Sequence, residues 1–401
     1  MKKLIIYIVV TILTFLLLYP AQYCYKEYLI IKNIKTKKSF FAKGFYILLC
    51  FLFFFLAFQP YFLISALRYG PGTDFLEGYY NIYYYSGEIV GASIEIGFVY
   101  LVKAVRFLFF NPQWFYIVTS FIFCFLMFFS IKRYTNHFAL AGILIMILGS
   151  LFDSFNNIRQ SIAMAASILG LSYASERKYG RSVILLALAY SFHRTALAVI
   201  PLYILAGIKP IRKFYPIIAL FLVALAPFYI DIFKFILAGT EYAKYFDWAP
   251  TKNGPIWFYF VQQLLVFIFI LFNYKELYKK HESIFIVALA NTIAIIIAIL
   301  MLRYRHLETM FRAYRWFSWS SIFIVPYMLD INVPKGMKVI YVVASVTTMF
   351  LMTRYTTFRL YYHEVYPYNF YDIFPNKKAI EYLFSIANNL KYRSNYYLFK
   401  Y

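Results

Sequence analysis

Residues 177–213 read RKYGRSVILLALAYSFHRTALAVIPLYILAGIKPIRK. Basic residues stand at both ends, Arg177, Lys178 and Arg181 before the apolar run and Lys209, Arg212 and Lys213 after it. Cytoplasmic loops of membrane proteins collect Lys and Arg, so both ends read as cytoplasmic. One crossing would put them on opposite sides. The run is interrupted by Ser191-Phe192-His193-Arg194-Thr195. Two half-helices, 183–192 and 194–207, meeting at this polar turn would return the chain to the side it left. The competing reading is one continuous span with a misplaced basic loop. Polar backbone at membrane depth is tolerated only where it lines protein or a water-filled cavity, so the turn is a candidate site.

The rest of the chain agrees with a lipid setting. Of its 401 residues 63% are apolar and 14% charged, against about 45–50% and 25% in soluble domains. That leaves too little polar surface for a soluble enzyme, a secreted module or a disordered protein. The 46 Phe and 42 Tyr suit lipid contact and interfacial anchoring. A net charge of +23 would suggest nucleic acid in a soluble protein. Here the cations sit in short loops between apolar runs, which points to topology and, secondarily, to anionic headgroups or polyprenyl phosphate, with no nucleic acid as partner. Cys24, Cys50 and Cys124 show no metal-type spacing and no disulfide framework. Met1-Lys2-Lys3 opens an apolar run to Tyr19 with no small-x-small site after it, which reads as a retained first span.

A helix crosses the hydrocarbon in about 20 residues. Candidate spans run near 4–20, 45–66, 114–131, 136–152, 157–175, 183–207, 214–236, 256–273, 283–302, 314–329 and 338–352. The expected fold is all-α and polytopic, with about 11–12 transmembrane segments in one domain, residues 1–401, around an outward-facing cavity. Residues 26–43, net +5, and Lys132-Arg133 go inside, whereas 68–95, net −3, goes outside. With the hairpin counted as two segments, both termini lie outside, including the tail 353–401.

Polar groups in such a chain need a reason. Arg68-Tyr-Gly-Pro-Gly-Thr-Asp74 follows the second span. Gly70, Pro71 and Gly72 impose a tight turn, which makes Asp74 either a proton-accepting carboxylate at a cavity mouth or a helix cap. Asp153 or Ser154 can cap the fifth span, where Asn156, Arg159 and Gln160 share a face. Ala163 with Ser167, and Ala166 with Gly170, form a close-packing stripe. Arg159 can clamp a phosphate or pair with Asp153 or another carboxylate. His193 beside Arg194 can serve as base, as phosphate ligand or as a structural group. Arg303-Tyr-Arg305 precedes Arg312 and Arg315, two arginines on one face at an outer end, which point to an anionic ligand or to stacking on Trp316 or Trp319. The tail from Arg354 through Arg359, His363 and Glu364 can fold back over the cavity. No Walker loop, dinucleotide fingerprint or nucleophile elbow is present.

Five motifs in this order resemble the EpsG family, grouped with the Wzy-like polymerases of bacterial surface polysaccharides: 68–74, Ile94-Glu95-Ile96-Gly97-Phe98, Asn157-Ile-Arg-Gln-Ser-Ile-Ala163, Phe192-His193-Arg-Thr-Ala-Leu197 and Phe311-Arg-Ala-Tyr-Arg-Trp-Phe317. The resemblance covers about residues 45–370. The family's glutamate motif has Pro where Ile96 stands. The layout is also similar to the GT-C glycosyltransferases, with an outer loop at 67–113 that contains a membrane-surface helix near 98–110.

The resemblance implies a glycosyltransferase in the bacterial plasma membrane that polymerises O-antigen, capsule or exopolysaccharide. The donor would be an undecaprenyl-diphosphate-linked oligosaccharide, without nucleotide, cofactor or resident metal. Asp74 would be base or acceptor-orienting carboxylate, and His193 would line the cavity. Arg159, Arg312 and Arg315 would clamp diphosphate, with Arg68, Glu95, Asn157, Gln160 and Arg194 also binding substrate. A flippase and a chain-length regulator are the partners it suggests. The alternatives are a single-sugar transferase fed by a polyprenyl-phosphate sugar, a lipid-linked oligosaccharide flippase, and a non-catalytic scaffold.

Overall fold

The computed structural model describes residues 2–34, 36–68, 78–79, 81–84, 94–109, 111–229, 231–232, 235, 239, 256–304 and 307–354. Asp74, Arg305, Arg359, His363 and Glu364, all singled out above, lie outside the described residues. Among those described the architecture is all-helical and that of a multi-pass membrane protein.

Helices α1 (Lys2–Ile31) and α2 (Lys37–Ala66) pack side by side. Thr36 caps α2 in a reciprocal capping box: Thr36 Oγ1 accepts the Ser39 N–H at 3.1 Å, and Ser39 Oγ accepts the Thr36 N–H at 3.0 Å. Ile5, Ile8, Ile12 and Leu16 on α1, and Phe41, Phe45, Leu48 and Phe55 on α2, are exposed. Apolar stripes this long have no place in water and mark lipid-facing surface.

A short α3 (Asn81–Tyr84) precedes α4 (Ile96–Leu108), a helix that spans most of the stretch near 98–110. Phe98, Val102 and Val105 of α4 are buried on one face, while Ile96, Tyr100, Phe107 and Leu108 are exposed on the other. Apolar residues on both faces suit a helix wedged between protein and lipid. Helix α5 (Gln113–Tyr134) follows, then α6 (Phe138–Ile147) and α7 (Ser150–Asn156), bent by 48° at Gly149, whose φ of +81° glycine adopts without strain. The span expected at 136–152 is therefore a broken one. The break also moves the start of the next helix. Asp153 and Ser154 sit inside α7, and α8 (Ile158–Ser175) begins after Asn157, so neither caps it and Asn156 lies on a different helix from Arg159 and Gln160.

Helix α8 is the axis of the bundle and is buried along nearly its whole length. It is not among the helices apolar enough to qualify as spans, because protein rather than lipid surrounds it and small or polar residues suffice. Helix α9 (Tyr179–Phe192) leaves its far end, turns at His193, and returns through a 3-10 turn (Arg194–Val199) and α10 (Ile200–Ala206). The return is pinned. Tyr203 donates to the Ser167 carbonyl at 2.9 Å, and Arg212, on α11 (Lys209–Arg212), donates to the carbonyls of Ser175 and Ala206. The two basic flanks of residues 177–213 thus meet at one end of α8, as the charge pattern required. A Cβ on Gly170 would collide with the Tyr203 hydroxyl and stand 3.2 Å from Leu185 Cβ, so the small stripe does seat the hairpin.

The second half comprises α12 (Tyr215–Ala224), α13 (Ile256–Lys280), α14 (Ile284–Tyr304), α15 (Leu307–Ser318), α16 (Ser320–Tyr327) and α17 (Lys335–Thr353). Helices α1, α2, α5, α13, α14 and α17 are each long and apolar enough to cross a membrane, and the bent pair α6/α7 makes a seventh candidate. Of the other expected spans, 157–175 is the continuous but less apolar α8, and the rest are short or broken helices. The region near 314–329 breaks between α15 and α16, and the one near 214–236 ends its α-helix at Ala224.

The bundle has two polar ends. The basic end carries Arg133 paired with Glu176 at 2.5 Å, Lys178 with Glu176 at 2.7 Å, and Arg212. There Asp330 also meets His137 at 2.8 Å and His281 at 3.0 Å. The opposite end carries Arg68, Glu95, Asp153, Arg159, His193 and Arg315.

Candidate functional site

Glu95 stands immediately before α4 as its N-cap, with its side chain turned away from the cap and toward α8 and α9. Gly97 makes this possible. A Cβ there would stand 2.8 Å from the Ser191 carbonyl oxygen, closer than real Cβ atoms come, so only glycine lets α4 touch the end of α9. Ile96 takes the first helical position, where proline is favoured because its missing N–H would be unbonded anyway. Isoleucine fits there equally, and the turn is closed by Phe98 and Val99 N–H groups on the Glu95 carbonyl.

Three groups converge on the Glu95 carboxylate. Arg159 Nη1 donates to Oε2 at 2.6 Å, His193 Nδ1 lies 2.9 Å from Oε1, and the Arg194 N–H donates to Oε1 at 3.2 Å. Burial works to raise the Glu95 carboxyl. The hydrogen bond to His193, the Arg159 charge and backbone N–H groups outweigh it and hold the carboxyl at about 2. Glu95 is therefore ionised throughout the physiological range. Its side chain is only 7% exposed, against 29% for Arg159 and 23% for His193. The carboxylate lies beneath, and the Arg159 and His193 side chains face outward from it.

Aromatic and polar contacts hold the shell. The Arg159 guanidinium lies 5.8 Å from the Phe98 ring centroid. The ring of His193 lies 6.3 Å from that of Trp316, whose Nε1 donates to Thr195 Oγ1 at 3.1 Å. Gln160 donates to the Arg312 carbonyl at 2.9 Å, joining α8 to α15. Asn157 is the N-cap residue of α8 without capping through its side chain, and the adjacent Ile158 N–H is received by the Tyr79 hydroxyl at 3.1 Å.

The structure gathers Glu95, Arg159, His193 and Arg194 into one cluster and joins Gln160 and Arg312 to its rim. Arg315 goes elsewhere. It is buried, paired with Asp153 at 2.9 Å, and lies 4.3 Å over the Phe311 ring. Arg68 is also buried, bonded to Ser65 and Ser120 between the rings of Tyr116 and Phe155. That setting fastens α2 to α5 and α7. Sequence reasoning passed over Tyr259, and quoted Gly97, Thr195 and Tyr314 within motifs without giving any of them a role. Their roles gave no signal because their partners are distant in sequence. Among the described residues no group of three His, Cys, Asp or Glu could hold a metal ion.

The family model of EpsG matches residues 47–370. No curated protein and no solved structure matches the chain.

Proposed function

The chain belongs to the EpsG family, and from that premise we propose that it polymerises a bacterial surface polysaccharide at the outer face of the plasma membrane. The proposed donor is an undecaprenyl-diphosphate-linked oligosaccharide and the proposed acceptor a hydroxyl of another lipid-linked glycan. The observation that carries the reading is the inverted burial at Glu95, where a submerged carboxylate aims one guanidinium and one imidazole outward.

With Glu95 ionised, the His193 nitrogen bonded to it, Nδ1, carries a proton, and Nε2 is the atom able to accept one. In the proposed step the acceptor oxygen attacks the anomeric carbon of the donor. The hydroxyl proton passes to His193 Nε2. The bond from that carbon to the diphosphate oxygen breaks, and its electron pair leaves with the diphosphate. Arg159 compensates the charge that grows there, an interaction that strengthens in the transition state. Asp74 keeps the acceptor-orienting role that the family resemblance implies.

The test is a gel profile of surface glycan from cells with and without the gene, and with Arg159→Ala or His193→Ala. The expected result is a ladder that collapses to a core with at most one repeat unit, at unchanged protein level. Loss of the repeat units altogether, or their retention inside the cell on lipid, would refute polymerisation and favour an earlier transferase or a flippase.

A further inference from the structure

The basic end of the bundle has a charged corner where α8, α9 and α11 meet. Segments 132–133, 176–181 and 209–213 carry eight Lys or Arg and one acidic residue, Glu176. The fold brings these segments together. Arg133 and Arg181 lie against the same Tyr173 ring, their guanidinium carbons 3.8 and 5.6 Å from its centroid. Arg212 ties α11 to the end of α8 through the Ser175 carbonyl. Glu176 is taken up by Arg133 and Lys178, at 2.5 and 2.7 Å. Arg177, Arg181 and Lys213 are exposed, and among the described residues no carboxylate pairs with them. Arg177 is also held at a φ of +62°. Its N–H donates to the Ala174 carbonyl and the Lys178 N–H to the Tyr173 carbonyl, which closes α8 in a Schellman motif. Glycine is favoured at that position because a side chain there is strained. A cation also suits the negative end of a helix dipole, but Arg212, bonded there directly, already fills that role.

We propose that this corner is a docking surface for the anionic phospholipid headgroups of the surrounding membrane. Charge and shape commit it to that occupant. The unpaired cations stand ready for phosphodiesters, which guanidinium groups bind through charge-assisted hydrogen bonds. Directly beside them Tyr179, Val183, Ile184, Ile208 and Phe214 are exposed, and Lys213 Nζ lies 4.8 Å from the Phe214 ring centroid. Cations edged by apolar side chains match a headgroup above its acyl chains, whereas an acidic soluble partner would leave the apolar side chains without a counterpart. Arg181 belongs to the outgoing arm of the hairpin and Lys213 follows the returning one, so a bound headgroup joins the two arms at the end opposite His193. The corner lies away from the Glu95 cluster, so it stands or falls independently of the polymerase reading.

The experiment uses the full chain in a neutral detergent. The probes are micelles of that detergent carrying phosphatidylglycerol or phosphatidylcholine, with the unfolding temperature followed as lipid is added. Phosphatidylglycerol should raise it and phosphatidylcholine should not. Arg177→Gly combined with Arg181→Gln and Lys213→Gln should need about 100-fold more phosphatidylglycerol for the same rise, or about fivefold per cation removed. Arg177→Gly alone should need about fivefold more. Without lipid its unfolding temperature should equal or exceed that of the wild type, because glycine takes the left-handed position freely, which separates lost docking from lost folding. An equal response to the two lipids, or a triple variant that responds as the wild type does, would overturn the proposal. The same rise from inorganic phosphate alone would overturn it in favour of a free anion, and tighter binding of a polyglutamate peptide would do so in favour of an acidic protein. The glycan ladder is read separately, so none of these outcomes decides polymerisation.

Discussion

Two carboxylates, one at each end of the bundle, each sit between basic side chains, yet they are buried in opposite order. At Glu95 the carboxylate is 7% exposed and its partners Arg159 and His193 are 29% and 23% exposed. At Asp330 the carboxylate is 28% exposed and its partners His137 and His281 are each 14% exposed. The first arrangement turns donors outward, toward anything anionic that arrives. The second turns the acceptor outward and encloses the imidazoles, with His281 stacked 4.0 Å from the Tyr327 ring and Tyr327 bonded to the Tyr134 carbonyl. A carboxylate that joins three separate loops is a clasp. A carboxylate beneath two outward-facing donors is a mount. The same pairwise chemistry serves different ends, and what distinguishes them is which member faces solvent.

The sharpest test of that contrast is a matched pair of substitutions. Arg159→Ala should reduce polymer formation by about 100-fold or more, the usual cost of removing one transition-state donor, with membrane protein level intact. Asp330→Asn should leave the glycan ladder in place. A lost ladder in Asp330→Asn at normal protein level would break the comparison. Glu95→Gln comes next. It keeps the shape but removes the charge that orients His193, and about 10- to 100-fold loss is expected, as for other groups that orient a functional ligand. Donor titration should show the loss chiefly in turnover.

Gly97→Ala tests the approach of α4 to α9. The added Cβ meets the Ser191 carbonyl, and overpacking costs about 1–3 kcal/mol, so both stability and activity should fall. Gly180→Ala is its control: nothing lies within 4 Å of a Cβ there, and the helix should gain up to about 1 kcal/mol. Equal behaviour of the two variants, read by thermal inactivation in detergent, would dismiss the close-approach argument.

The smallest effect concerns pH. Burial works to raise the Asp330 carboxyl, and the contacts from His137 and His281 outweigh it and hold it below the usual carboxylate range. A depressed carboxyl stabilises the fold above its unfolded value, near 3.9, and loses that contribution as pH falls toward the folded value. Asp330→Asn should therefore be less stable than the wild type by about 1–2 kcal/mol at neutral pH, and the gap should narrow only below about pH 4. A gap that already changes between pH 7 and 5 would overturn this assignment to the carboxyl. Glu95 follows the same sign, with its contribution lost as pH falls from about 4.3 in the unfolded chain toward about 2 in the folded one. Mild acid should thus leave the mount ionised.

Much of this was legible before any coordinates. Basic residues on both sides of 177–213 required a hairpin, and the structure closes it through Arg212 on Ser175. The stripe ending at Gly170 required a close neighbour, and Tyr203 is that neighbour. Arg159, His193 and Glu95 were singled out as separate motifs, but nothing in their spacing joined them. Arg315 was grouped with Arg312 by helical period, yet its partner is Asp153, which spacing suggested as a cap. The Asp330 clasp gave no signal at all, since its three members come from three loops with no shared pattern.

The sequence by itself determined the medium, the helical class and which basic loops share one end of the bundle, because hydropathy and charge act on each segment independently of its neighbours. Only the tertiary structure decided which ions pair. Residues 64, 98, 162 and 193 positions apart meet at Arg159–Glu95, His193–Glu95, Arg315–Asp153 and His137–Asp330. Pairing energy depends on a few ångströms of separation and on local burial. Neither is a property of a segment. Both are set by how closely helices approach, which here comes down to single missing Cβ atoms at Gly97 and Gly170 and a backbone break at Gly149.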